Sequence, residues 1–104
     1  MTTYVPDTWV MLEFTRNGEA FAKKVFAGWY GGFADGDSWK LSSGVVSIED
    51  RDDYWEVVNA SGSIYKCKKR AMGMSSYQMS ILDQWKKDMA TNMPDNEILI
   101  MSTV

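Results

Sequence analysis

Apolar residues in this chain fall into short runs broken by polar, glycine-containing turns, and the spacing of the runs predicts strands for most of the length. Residues 8–15, TWVMLEFT, are rich in β-formers and lead into Arg16-Asn17-Gly18-Glu19. Asn-Gly between apolar runs is a strong hairpin signal, because both central positions of a type I′ turn need positive φ. The second strand runs from about Ala20 to Tyr30, with Phe21, Val25 and Trp29 expected on one face and Lys24 on the other. Residues 45–49 and 54–58 flank the polar connection Asp50-Arg51-Asp52-Asp53 and predict another hairpin. Asn59-Ala60-Ser61-Gly62 then turns the chain into Ser63-Ile64-Tyr65-Lys66-Cys67-Lys68, which completes a meander.

The pattern changes near Ser75. Ser75 with Gln78 forms a capping box, and Met74 is placed to staple onto Met79. Ile81, Leu82, Trp85 and Met89 then recur at three- and four-residue steps, leaving Gln84, Lys86, Lys87 and Asp88 to water. Asn92, through a left-handed exit, and Pro94 are expected to end this helix. The run Glu97-Ile98-Leu99-Ile100-Met101 is too short for a helix and reads as a strand returning to the sheet.

These elements predict a single α+β domain over residues 1–104: an antiparallel sheet of five to seven strands, hairpin plus meander, with one helix on a face and a final strand. The helix stripe should cover Val10, Leu12, Val46, Ile48, Val57 and Ile64. A chain of 104 residues suits one modest core. No apolar run is long enough for a membrane span, and MTTYVPDTW lacks a basic region followed by an apolar one, so a soluble, unexported chain is expected. The lone Cys67 cannot form an internal disulfide, which fits the cytoplasm. A net charge of −3 gives no general attraction to nucleic acid. Charge is nonetheless segregated: an acidic stretch over residues 35–56 precedes a positive cluster of Lys66, Lys68, Lys69 and Arg70, a candidate docking patch.

Candidate chemistry is bounded by what is missing. The chain has no histidine, so serine-histidine and cysteine-histidine hydrolysis are excluded and the commonest transition-metal ligand is absent. Asp35 and Asp37 flank Gly36, but the later ligand positions of a calcium loop do not follow, and no metal is expected. No phosphate-loop or dinucleotide motif occurs, so a non-enzymatic protein without a cofactor is expected. Cys67 among lysines alternates with them along its strand, and reads as a buried small hydrophobe rather than a reactive thiol.

Residues 28–44, GWYGGFADGDSWKLSSG, hold five glycines, four aromatic rings and two acids. Read as a loop, this segment supplies Trp29, Tyr30, Phe33, Asp35, Asp37, Trp39 and Lys40 as candidate partner- or ligand-binding residues. Large rings with a nearby cation are what interface centres favour. The same rings could stack on a nucleotide, with glycine amides on its phosphate and Lys40 or the 66–70 cluster adding positive charge. Single-stranded nucleic acid would use the rings too, but fits the acidic balance poorly. Free sheet edges leave a homodimer open.

The stretch from Gly28 to Gly44, with Gly62-Ser63-Ile64-Tyr65-Lys66-Cys67-Lys68, resembles small uncharacterised proteins of tailed enterobacterial bacteriophages. Their sequences repeat a glycine-aromatic, Asp-Gly-Asp-Ser-Trp, Ser-Gly pattern, and the similarity spans residues 8–90. The resemblance implies a non-catalytic accessory protein acting in the host cytoplasm against host machinery or defence. It would occlude a host protein or, alternatively, sequester a nucleotide or cyclic nucleotide signal.

Overall fold

The computed structural model describes residues 2–32 and 36–104. It is α+β, with strands β1 (Thr3–Tyr4), β2 (Thr8–Arg16), β3 (Glu19–Gly32), β4 (Gly36–Leu41), β5 (Val45–Asp50), β6 (Tyr54–Asn59), β7 (Ile64–Lys68) and β8 (Asn96–Met101). A short 3₁₀ turn, Lys69–Ala71, and one helix, α1 (Ser76–Asn92), lie between β7 and β8. The strands form two four-stranded sheets, ordered β4-β3-β2-β8 and β1-β7-β6-β5, where the sequence suggested one. Among the described residues every pairing between these strands is antiparallel except β1 with β7.

The second sheet exists because β2 and β3 are apolar on both faces. Trp9, Met11, Val25 and Ala27 point to one side and pack with Val57, Tyr65 and Cys67 of the other sheet. Val10, Leu12 and Phe26 point to the opposite side and, with Ile98 of β8, meet Leu82, Ile81, Trp85 and Met89 of α1. The molecule is therefore three layers, with the β4-β3-β2-β8 sheet in the middle. Val57 and Ile48, expected beneath the helix, belong to the inter-sheet core instead. Burial of each large side chain in either core contributes about 1.5–3 kcal/mol.

Bulges account for two departures from the expected faces. Phe14 pairs Ala22 while Thr15 pairs Ala20, so Phe21 is an extra residue in β3 and is 58% exposed rather than sharing the face of Val25. Val45 pairs Asn59 while Ser47 pairs Val58, which leaves Val46 extra and 64% exposed. The Asn17-Gly18 turn adopts positive φ at both residues, 52° and 82°, as the hairpin requires. In the β5–β6 connection Asp52 takes the left-handed conformation at φ 71°, its N–H bound by the Asp50 carboxylate.

Helix α1 starts as its capping box dictates: the Ser75 hydroxyl accepts the Gln78 N–H, and the Gln78 side chain returns to the Ser75 N–H. Met79, the expected staple partner, is exposed while Met74 packs on the core. The helix closes without a left-handed residue, since Asn92 stays helical and Met93 at the C-cap has φ −141°. Among the described residues no helix is long and apolar enough to cross a membrane.

Candidate functional site

The aromatic glycine segment is a strand pair. Gly28 pairs Trp39 and Trp29 pairs Ser38, so most of the segment continues β3 and returns as β4. Antiparallel pairing puts opposite residues on the same face, and this divides the candidate rings. Trp29 turns toward the inter-sheet side, where its Nε1–H donates to the Val5 carbonyl at 3.0 Å and its ring meets Tyr4 edge-on. Tyr4 stacks on the buried Tyr65 at 4.9 Å and carries the Lys40 ammonium over its ring at 5.4 Å. Trp39 lies on the helix side, edge-on to Phe26 at 5.9 Å and to Trp85 at 5.2 Å. Phe33 and Asp35 lie outside the described residues.

Gly28 has a specific reason to be glycine. A Cβ there would collide with the Gln78 side-chain amide and approach Thr8 Oγ1 at 2.9 Å. The fully buried Gln78 accepts from the Thr8 hydroxyl and donates to the Phe26 carbonyl at 3.3 Å, tying the first turn of α1 to β2 and β3. Gly31, at φ 57°, sits where the β3–β4 register shifts, and its N–H is held by the Asp37 carboxylate at 3.1 Å. The neighbouring N–H of Tyr30 is held by Asp7 at 2.9 Å. Two backbone donors that could have met a phosphate are thus satisfied by carboxylates.

Beside the Trp39–Phe26–Trp85 cluster, α1 and the central sheet leave an open groove of about 220 Å³. Phe14, Leu41, Trp85, Met89, Met93 and Ile98 form its apolar lining, with Asp88 and Asn92 as the polar members. Trp39 is 39% exposed in the same layer. The Lys24 ammonium lies 5.5 Å from the Phe14 ring. Of these residues the sequence pointed only to Trp39; the helical stripe through Trp85 and Met89 was the signal that could have found the groove.

The basic cluster lies on β7 of the other sheet and on the 3₁₀ turn that follows it. Lys69 donates to Asp50 at 2.6 Å and lies over the Trp55 ring at 4.4 Å, while Lys66 lies over Tyr54 at 5.6 Å. Arg51 bridges Glu49 at 2.6 Å and Glu56 at 3.2 Å. The hydrogen bond from Lys69 holds the Asp50 carboxyl below its usual range, and Glu56 and Glu49 hold the Arg51 guanidinium more firmly protonated. Acidic turn and basic strand end therefore satisfy one another in part, leaving Lys68 and Arg70 the exposed members. The Lys68 carbonyl accepts the buried Trp9 Nε1–H at 2.7 Å.

Cys67 is fully buried, and burial pushes its thiol up to about 12. A thiol held neutral in this way is a core side chain and not a nucleophile. Among the described residues no three acidic, cysteine or histidine side chains converge on a point that could hold a metal. The chain matches no protein-family model, no curated protein and no solved structure.

Proposed function

We propose that this is a non-catalytic binding protein whose partner is another protein, docked on the groove between α1 and the central sheet. The observation that carries this reading is the groove's lining: six apolar side chains, with Trp39 half-exposed in the same layer. Such a surface suits an apolar anchor residue from a partner, with Asp88 and Lys24 able to set its orientation. The resemblance to phage accessory proteins makes a bacterial host protein the partner and inhibition by occlusion the outcome.

A nucleotide is the second reading, and its supports are weaker. Small-molecule sites usually enclose about 300–1,000 Å³, more than this groove offers. The Tyr30 and Gly31 amides face carboxylates, and Lys40 is drawn over Tyr4.

Native mass spectrometry of the protein isolated gently from a bacterial cytosol tests the proposal, with Met93→Glu as comparison because this exposed side chain lines the groove. A protein bound at defined stoichiometry to the parent chain, and at least about tenfold less to the variant at an unchanged melting temperature, is expected, tenfold being about 1.4 kcal/mol. Equal retention by the variant would move the site elsewhere. An added small mass lost on denaturation would favour the nucleotide.

A further inference from the structure

We infer that β8 is a dimerisation edge and that its occupant is a second copy of this chain, paired antiparallel through β8 itself. The inference is independent of the groove and its partner.

An exposed strand edge offers unpaired N–H and C=O groups to any other strand, and folded proteins blunt such edges with charge, bulges or brevity. Three of the four edges here are blunted. Strand β1 is two residues long. Strand β4 carries Asp37 and Lys40, and its pairing with β3 shifts register between Trp29 and Gly32. Strand β5 has the bulge at Val46 and ends in Glu49-Asp50.

Strand β8 has neither a bulge nor a shortened length, and its charge is confined to Glu97 near its start. It pairs β2 through six consecutive residue pairs, Met11–Met101 to Arg16–Asn96, without a register shift. Among the described residues nothing pairs its other side. Its sequence, NEILIM, carries one charge, and Leu99 and Ile100 are 44% and 46% exposed.

The strand is also complementary to itself. Centring an antiparallel pair on Leu99 puts Leu99 opposite Leu99, Ile98 opposite Ile100 and Glu97 opposite Met101 of the second copy. Like charges never face each other, and the two Glu97 lie about 13 Å apart along the strand at roughly 3.3 Å per residue. The pairing preserves the faces: Ile98 and Ile100 pair with Phe14 and Leu12 on the helix side, whereas Leu99 pairs with Glu13 on the other. A two-fold axis normal to the sheet keeps both helices on one side and closes the assembly as an isologous dimer. The resulting eight-stranded sheet, β4-β3-β2-β8 joined to its copy, ends at the blunted β4 on either side.

The test is sedimentation equilibrium across a concentration series, combined with oxidative cross-linking. The parent chain is expected at twice its monomer mass, and Leu99→Lys, which places two ammonium groups opposite each other, should raise the dissociation constant at least about tenfold. Opposed residues in an antiparallel pair bring Cβ atoms to about 4.5–5.5 Å. Leu99→Cys should therefore form a disulfide-linked dimer under mild oxidation, while Phe21→Cys, more exposed and on another strand, should not. A parent chain that stays monomeric, or cross-linking no faster at position 99 than at position 21, would overturn the inference. So would a monomer whose β8 is taken up by a strand from a different protein.

Discussion

Gly28 shows how one position can be fixed by contact and not by backbone conformation. The Gln78 amide occupies the space a Cβ would take, and both ends of that amide are hydrogen-bonded. Gly28→Ala should destabilise the fold by about 1–3 kcal/mol, the usual cost of overpacking. Urea denaturation would show it, and the loss should shrink in a Gln78→Ala background if this contact is the cause. Cys67 gives a second residue-scale expectation. Its thiol, neutral up to about 12, should resist alkylation in the folded state at pH 8 and react once urea unfolds the chain. The burial of Cys67 was readable from its alternation with Lys66 and Lys68. The exposure of Phe21 and Val46 was not, because a bulge depends on the register of a partner strand and leaves no fixed mark in its own sequence.

At the level of elements, α1 was legible from both its cap and its stripe. Ser75→Ala removes the hydroxyl that accepts the Gln78 N–H and should cost about 1 kcal/mol. Amide exchange should report it as fraying confined to the first turn. Strand β4 and the end of β3 read as a loop in the sequence because glycines at residues 28, 31 and 32 look like turn signals. Two of them answer to other needs, Gly28 to the approach of α1 and Gly31 to a register shift. Pairing also decides the fate of the aromatic site: it sends Trp29 to the inter-sheet core and Trp39 to the helix. Trp39 forms two edge-on aromatic pairs, so Trp39→Ala should lower stability by roughly 1–3 kcal/mol at about 0.5–1.5 kcal/mol per pair. Thermal melting followed by circular dichroism would measure it, and a loss near zero would make Trp39 a free surface ring.

For the whole molecule, the inter-sheet core sets the response to alkali. Burial raises the Cys67 thiol from 9.0 to about 12 and the Tyr65 hydroxyl from 10.0 to about 12. Both groups are neutral in the native state while the unfolded chain can already ionise them. Their contribution to stability is full below about pH 9 and is lost as pH rises toward 12. Urea midpoints across that range should fall, and Tyr65→Phe with Cys67→Ala should flatten the descent. The sequence by itself determined strands β2, β3, β5, β6 and β7, the Asn17-Gly18 hairpin, the capped helix and the returning β8, since each follows from turn chemistry or from periodicity within a few residues. The unbroken apolar run Trp9-Val10-Met11-Leu12 also signals a strand covered on both faces, and with it the three layers, in which all four residues are buried. Only the tertiary structure decided how eight strands divide between two sheets, which aromatic rings share a face, that Lys69 meets Asp50, and that β8 is left at an open edge. These are relations between segments distant along the chain, set by which faces can be buried together.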